Sequence, residues 1–157
     1  MTNKHNIDIE AAHKYFSVAC FNKAWDLIDK TDRTPEEDDQ MIHLSMASHW
    51  HWTQRQDYAP QNASIAYWQL SRIYAILARG EEARKYGLLC LSSSQAEDIA
   101  PFYLGYAYEA LARAEMVSGD TKRAQEYLKE AHTAAGKITD RDEKKLLLDD
   151  LSTIGSL

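Results

Sequence analysis

Two arginines stand at matching points of a repeated pattern, with a carboxylate and two aromatic residues alongside. Sliding the chain by 41 residues carries Arg72 onto Arg113, and Ala66, Tyr67, Leu70, Ala83 and Tyr86 onto Ala107, Tyr108, Leu111, Ala124 and Tyr127. If each copy opens with a helix, one face carries Ile65, Trp68, Arg72 and Ile76, and the matching face of the next carries Tyr106, Glu109, Arg113 and Met116. Arginines on adjacent helices then lie within ~10 Å of each other, and a guanidinium fork takes a carboxylate bidentately. Trp68, Arg72, Tyr106, Glu109 and Arg113 are therefore candidate contacts for a protein or peptide partner bearing an acidic or carboxylate group. A self-contained arrangement is the stronger alternative: Glu109 and Arg113 are one turn apart on a helix and can pair with each other, leaving Arg72 solvated.

The run His49-Trp50-His51-Trp52 raises metal binding, and helical geometry argues against it. Residues two apart on a helix point about 200° from one another, so His49 and His51 do not share an ion. Asp39 and His43 supply two ligands at most, and nothing near them completes a shell of three or four. His13 and His132 cannot be assembled with the others from sequence alone. No metal is expected. The chain contains no G-x-S-x-G, H-E-x-x-H, P-loop or G-x-G-x-x-G pattern. Neither an enzyme nor a cofactor is expected. Trp50 and Trp52 are candidates for an interface, because the helix expected from Thr34 to about Gln54 is apolar nearly all round: Met41, Leu44 and Trp52 on one side, Ile42, Met46 and Trp50 on the other. Such a helix is buried between neighbours or covered by another molecule, a second copy of the chain included. Tyr103, with Tyr106, Tyr108, Trp50 and Trp68, also suits an aromatic pocket for a small molecule.

The elements that position these residues all read as helices. The first covers about Asp8–Lys30, with Ile9, Ala12, Phe16, Cys20, Ala24, Leu27 and Ile28 as its expected core stripe. Thr34-Pro35-Glu36-Glu37 is a capping-box pattern opening a second, to about Gln54. A third runs about Ala63–Arg79 with Asn62 as its cap and Gly80 as its stop, and a fourth about Glu81–Leu91, ended by Ser92–Ser94. The fifth starts near Asp98 or Pro101 and ends at Ser118, where Gly119-Asp120 reads as a helix stop followed by a cap. The sixth covers about Thr121–Lys137, and Thr139–Asp142 caps a seventh to about Ser152. Val18 and Val117 are the only valines, so little favours a sheet.

At 157 residues the chain reads as one domain over 1–157. A net charge of −6 argues against nucleic acid or an anionic membrane as partner. No apolar run reaches membrane-spanning length, and the opening MTNKHNIDIE has no signal-peptide core, so a cytoplasmic protein with reduced Cys20 and Cys90 is expected.

Tyr67-x2-Leu70-Ser71-x2-Tyr74…Ala83 follows the order of the tetratricopeptide unit, W-x2-L-G-x2-Y…A-x3-F. Tyr108-x2-Leu111-Ala112…Ala124-x3-Leu128 follows it too, with Glu115 at the tyrosine position. Over about Ile65–Ala135 the chain resembles a divergent tetratricopeptide repeat, lengthened from 34 residues and with Gly87 where that family places a large aromatic. The resemblance implies an all-α, TPR-like superhelix of about seven helices: three antiparallel hairpins and a C-terminal capping helix. It also implies a non-catalytic interaction module holding a peptide or partner protein in its concave groove. The alternative is a small-molecule-binding sensor or helper protein with an aromatic pocket between helices.

Overall fold

Four of the seven helices open on a residue whose side chain caps them. In the computed structural model, which describes residues 7–155, there are seven α-helices and, among the described residues, no strand. Helix α1 (Ile9–Ile28) begins after Asp8, whose Oδ1 accepts from the Ala11 N–H at 3.0 Å. Helix α2 (Pro35–Thr53) has the full capping box: Thr34 Oγ1 accepts from Glu37 N at 3.2 Å, and the Glu37 carboxylate accepts from Thr34 N at 2.9 Å. Helix α3 (Pro60–Ile76) starts ahead of the expected Ala63, with Pro60 in its first turn. Asn62 caps it from inside, its Oδ1 accepting the Ala59 N–H at 2.9 Å. Helices α4 (Gly80–Ser94) and α5 (Pro101–Ser118) follow. Asp120 caps α6 (Thr121–Ala135), and Asp140 caps α7 (Arg141–Ser152), taking the N–H groups of Asp142 and Glu143 at 3.0 and 2.9 Å. No described helix is long and apolar enough to cross a membrane.

Contacts divide the chain into two compact units, one ending at Tyr58 and the other beginning at Ala59. In the first, α1 and α2 form a hairpin whose contact line is small and partly polar: Ser17 and Ala24 meet the face of Met41, Ile42, Ser45 and Ser48. Ser48 Oγ donates to the Ser17 carbonyl at 2.7 Å, and Arg55 Nη1 donates to Ser17 Oγ at 2.9 Å. The expected stripe of α1 is fully buried only at Ala24; Ile9 is 63% and Phe16 45% exposed. Ser17 and Ala24 stand two turns apart on one face, and their small side chains allow the closest approach there. The helix has turned to use them.

The second unit stacks α3/α4 and α5/α6 as hairpins, with α5 against both α3 and α4, and α7 against both α5 and α6. Close approach is again made by small residues. A Cβ on Gly87 would lie 2.9 Å from Leu111 Cδ2, and one on Gly105 2.4 Å from Leu147 Cδ2. An aromatic at position 87 has no room, because Leu111 of α5 already fills the space. The two hairpins repeat each other's geometry: Tyr67 and Tyr86 stack at 6.3 Å and 29°, Tyr108 and Tyr127 at 6.3 Å and 27°.

Their turns also match, though not at the glycine the sequence suggests. Gly119 closes α5 in the left-handed region at φ 83, and its counterpart is Ala78, at φ 56. Gly80 does not stop α3; it opens α4, and a Cβ there would stand 2.1 Å from Ser118 Oγ. Left-handed backbone strains any residue with a Cβ by roughly 1–2 kcal/mol. Ala78→Gly should therefore raise the unfolding free energy by up to about 1 kcal/mol, and Gly119→Ala should lower it by about as much. Urea denaturation of both variants checks the pairing; shifts of the same sign would refute it.

Candidate functional site

Helix α5 carries two carboxylates with no exposed surface, Glu109 and Glu115, both 0%. An ionised group in that position is stable only if strong donors meet it. Glu109 Oε2 accepts from the indole N–H of Trp68 on α3 at 2.8 Å. Its Oε1 accepts from Arg72 Nη1 on α3 at 2.9 Å and from Arg113 Nε, one turn along α5. Arg113 then reaches α7 and the residue after it, its Nη2 donating to the Asp150 carbonyl at 2.8 Å and to Thr153 Oγ1 at 2.6 Å. The Tyr106 hydroxyl donates to Asp150 Oδ2 at 2.7 Å. Two guanidinium groups and two carboxylates thus close a neutral network over three helices.

The surroundings act on these groups in opposite senses. Burial pulls the Arg72 guanidinium below its ordinary pKa, while Glu109 pushes it back up. Burial raises the Tyr106 phenol well above its usual range, and the hydrogen bond to Asp150 adds to that. Glu115, at the position where the repeat pattern has tyrosine, is held differently. Arg84 of α4 donates to both its oxygens, from Nε and Nη2, each at 2.7 Å, and Arg123 of α6 stands 3.9 Å away.

All five residues expected at the groove come together, and in a particular way. Glu109 has no surface to offer a partner; it occupies the seat between the arginines that an outside carboxylate was expected to take. Arg113 makes the intrahelical pair, and Arg72 is bound to the same carboxylate rather than solvated. What the face leaves open is its margin. Ile65 is 36% and Ile76 38% exposed, on the helix face that carries Trp68 and Arg72. Trp68 and Tyr106 pack edge to face at 5.4 Å, and Phe102 meets Tyr106 at 4.9 Å and Tyr103 at 5.6 Å. In the first unit Trp50 is 55% exposed, while Trp52 lies under the Arg55 guanidinium, 3.7 Å from its centre.

Sequence reasoning missed Asp150 and Thr153, and a signal for Asp150 existed. Arg72 reaches the Glu109 carboxylate across 37 residues and Arg113 reaches the Asp150 backbone carbonyl across 37, so equivalent positions meet one repeat later through different acceptor groups. His49 bonds the Tyr58 hydroxyl at 3.1 Å, and no three His, Cys, Asp or Glu side chains converge among the described residues. Burial pushes the Cys90 thiol up to about 11, so it is not a nucleophile at neutral pH. An open hollow lined by Thr139, Asp140, Arg141, Asp142 and Lys145 shares no residue with the network.

No protein-family model, curated protein or solved structure matches the chain. The network itself can be tested through stability. Glu109→Ala leaves two arginines and an indole without their acceptor and should cost about 3–5 kcal/mol in urea denaturation. Adding Arg72→Ala and Arg113→Ala to it should recover part of that loss, since the uncompensated charges leave with them. A loss under about 1 kcal/mol would mean that the carboxylate does not hold these helices together.

Proposed function

We propose that the chain is a non-catalytic interaction module, and that α3–α7 form a short TPR-like superhelix that holds an extended peptide or a partner domain along the face of α3 and α5. The observation that carries this reading is the recurrence of one pairing of positions, Arg72 with the Glu109 carboxylate and then Arg113 with the Asp150 backbone carbonyl, each spanning 37 residues. Contacts that recur at a fixed step are the mark of stacked repeats, and stacked repeats present matching positions along a shared surface. The matched tyrosine stacks and left-handed turn residues support the same reading.

On this account the arginine–glutamate network is the frame of the binding face rather than its mouth. Recognition falls to the exposed rim, where Ile65 and Ile76 accompany Trp68 and the outer edge of the half-buried Arg72. An apolar side chain placed next to an acidic one suits that combination of surfaces. The alternative, a small-molecule sensor, draws on the rings of Trp68, Phe102, Tyr103 and Tyr106. Those rings pack edge to face against one another, which favours the peptide reading.

Peptide arrays comparing apolar–acidic, apolar–basic and purely polar sequences provide the test. The wild-type chain should retain apolar–acidic peptides, and Ile65→Glu and Ile76→Glu should each lower that retention at least about tenfold, by placing a charge at the rim, with the helical circular dichroism unchanged. Equal retention by wild type and both variants would remove the face from consideration.

A further inference from the structure

The first unit contains a side-chain cluster that the peptide reading leaves unused. His13 of α1 and His51 of α2 face each other with their Nδ1 atoms 2.8 Å apart, although 38 residues separate them in the chain. Trp50 stands edge-on to both rings, at 5.3 Å from His13 and 4.9 Å from His51, and Phe16 stacks on His51 at 5.3 Å. Both histidines are half-buried, so the rings are held by their neighbours yet remain open to water on one side.

Two imidazole nitrogens this close cannot both carry a proton on the facing atom, and cannot both present a bare lone pair without something between them. One shared proton satisfies the pair. So does a metal ion. With bonds of about 2.0–2.1 Å, two nitrogens on adjacent corners of a square-planar or octahedral ion stand roughly 2.8–3.0 Å apart. The spacing of two metal ligands is therefore present before any ion arrives; the rings point nearly at each other, with centroids 5.0 Å apart, so both must turn away from the line between the nitrogens to aim their lone pairs at one ion.

We propose that His13 and His51 form a two-imidazole chelate for a borderline divalent transition-metal ion, with Cu²⁺ bound more tightly than Ni²⁺ or Zn²⁺ and water completing its coordination. Imidazole nitrogen suits these ions, and Cu²⁺ heads their order of affinity. Burial and the neighbouring His13 hold the His51 pKa below the ordinary imidazole value, which keeps it in the neutral, ligating form at neutral pH. The nearby cations are already engaged: Lys14 with Glu10 at 2.8 Å, and Arg55 with Asp57 at 2.6 Å. Protons compete with the ion for imidazole nitrogen, so acid should expel it. The peptide-binding face is not involved, so the two proposals fail independently.

Calorimetric titration of the whole chain with Cu²⁺ tests the site. At about pH 7.5 one dominant site is expected. His13→Ala and His51→Ala should each weaken it at least about tenfold, whereas His43→Ala, on the exposed side of α2, should not change it. Lowering the pH to about 5.5 should weaken wild-type binding by at least a similar factor. Should either alanine variant misfold, Zn²⁺ added to the wild-type chain while imidazole NMR signals are recorded gives the same answer. His13 and His51 should shift together at the first additions. Binding within about twofold of wild type in both variants, or first shifts at other histidines, would mean an adventitious ion only, with the pair sharing a proton.

Discussion

Glu109 lies in the interior of α5, and an ionised carboxylate buried there must be met by strong donors. Trp68 and Arg72 come from α3, Arg113 from the next turn of α5, and Arg113 continues to Asp150 and Thr153. One buried charge thereby sets the rotation and longitudinal register of α3 against α5, and, through Arg113, of α5 against α7. The apolar contacts between these helices are made largely by alanine, glycine and leucine, which permit close approach but discriminate poorly between neighbouring registers. A guanidinium fork aimed at a carboxylate does discriminate, because a shift of one turn leaves a charge buried without its partner.

That division of labour recurs. Small residues bring the helices near, and polar groups fix where along each other they stop. In the second unit the polar groups are arginine–glutamate pairs, at Glu109 and again at Glu115. In the first unit the same task falls to Ser17, whose carbonyl accepts from the Ser48 hydroxyl and whose own hydroxyl accepts from the Arg55 guanidinium. For the proposed interaction face this means that its shape is set from within. A partner meets a surface whose arginines are already oriented, and binding need not pay for ordering them.

Helix starts that carry a side-chain cap were readable because capping is local: Thr34 with Glu37, Asp120 and Asp140 act on N–H groups two or three residues away, whereas α3, whose N-cap is Ala59, starts three residues before the expected Ala63. Helix ends were harder. Ser92–Ser94 look like a terminus, yet Ser94 Oγ donates to the Cys90 carbonyl and bonds Ser64, so the serines extend α4 into the core. Gly80 looks like a stop, yet its missing Cβ serves a contact with Ser118, while Ala78 bears the left-handed turn. In the candidate site, the members at matching repeat positions were identifiable from their spacing. Their pairing was not, because residue type does not say whether two arginines face solvent or share one buried acid. The meeting of His13 with His51 depends on which face α1 turns inward, and that is decided by the small residues Ser17 and Ala24 rather than by the larger apolar stripe.

The distribution of indoles has an optical consequence. Trp25, Trp50 and Trp52 belong to the first unit, and Trp68 stands alone in the second, its N–H bound to a dry carboxylate. A chain keeping only that fluorophore would report on one unit without interference from the other, and its emission would change when the hydrogen bond to Glu109 breaks. Nature has left each half of this molecule with a spectroscopic label of its own.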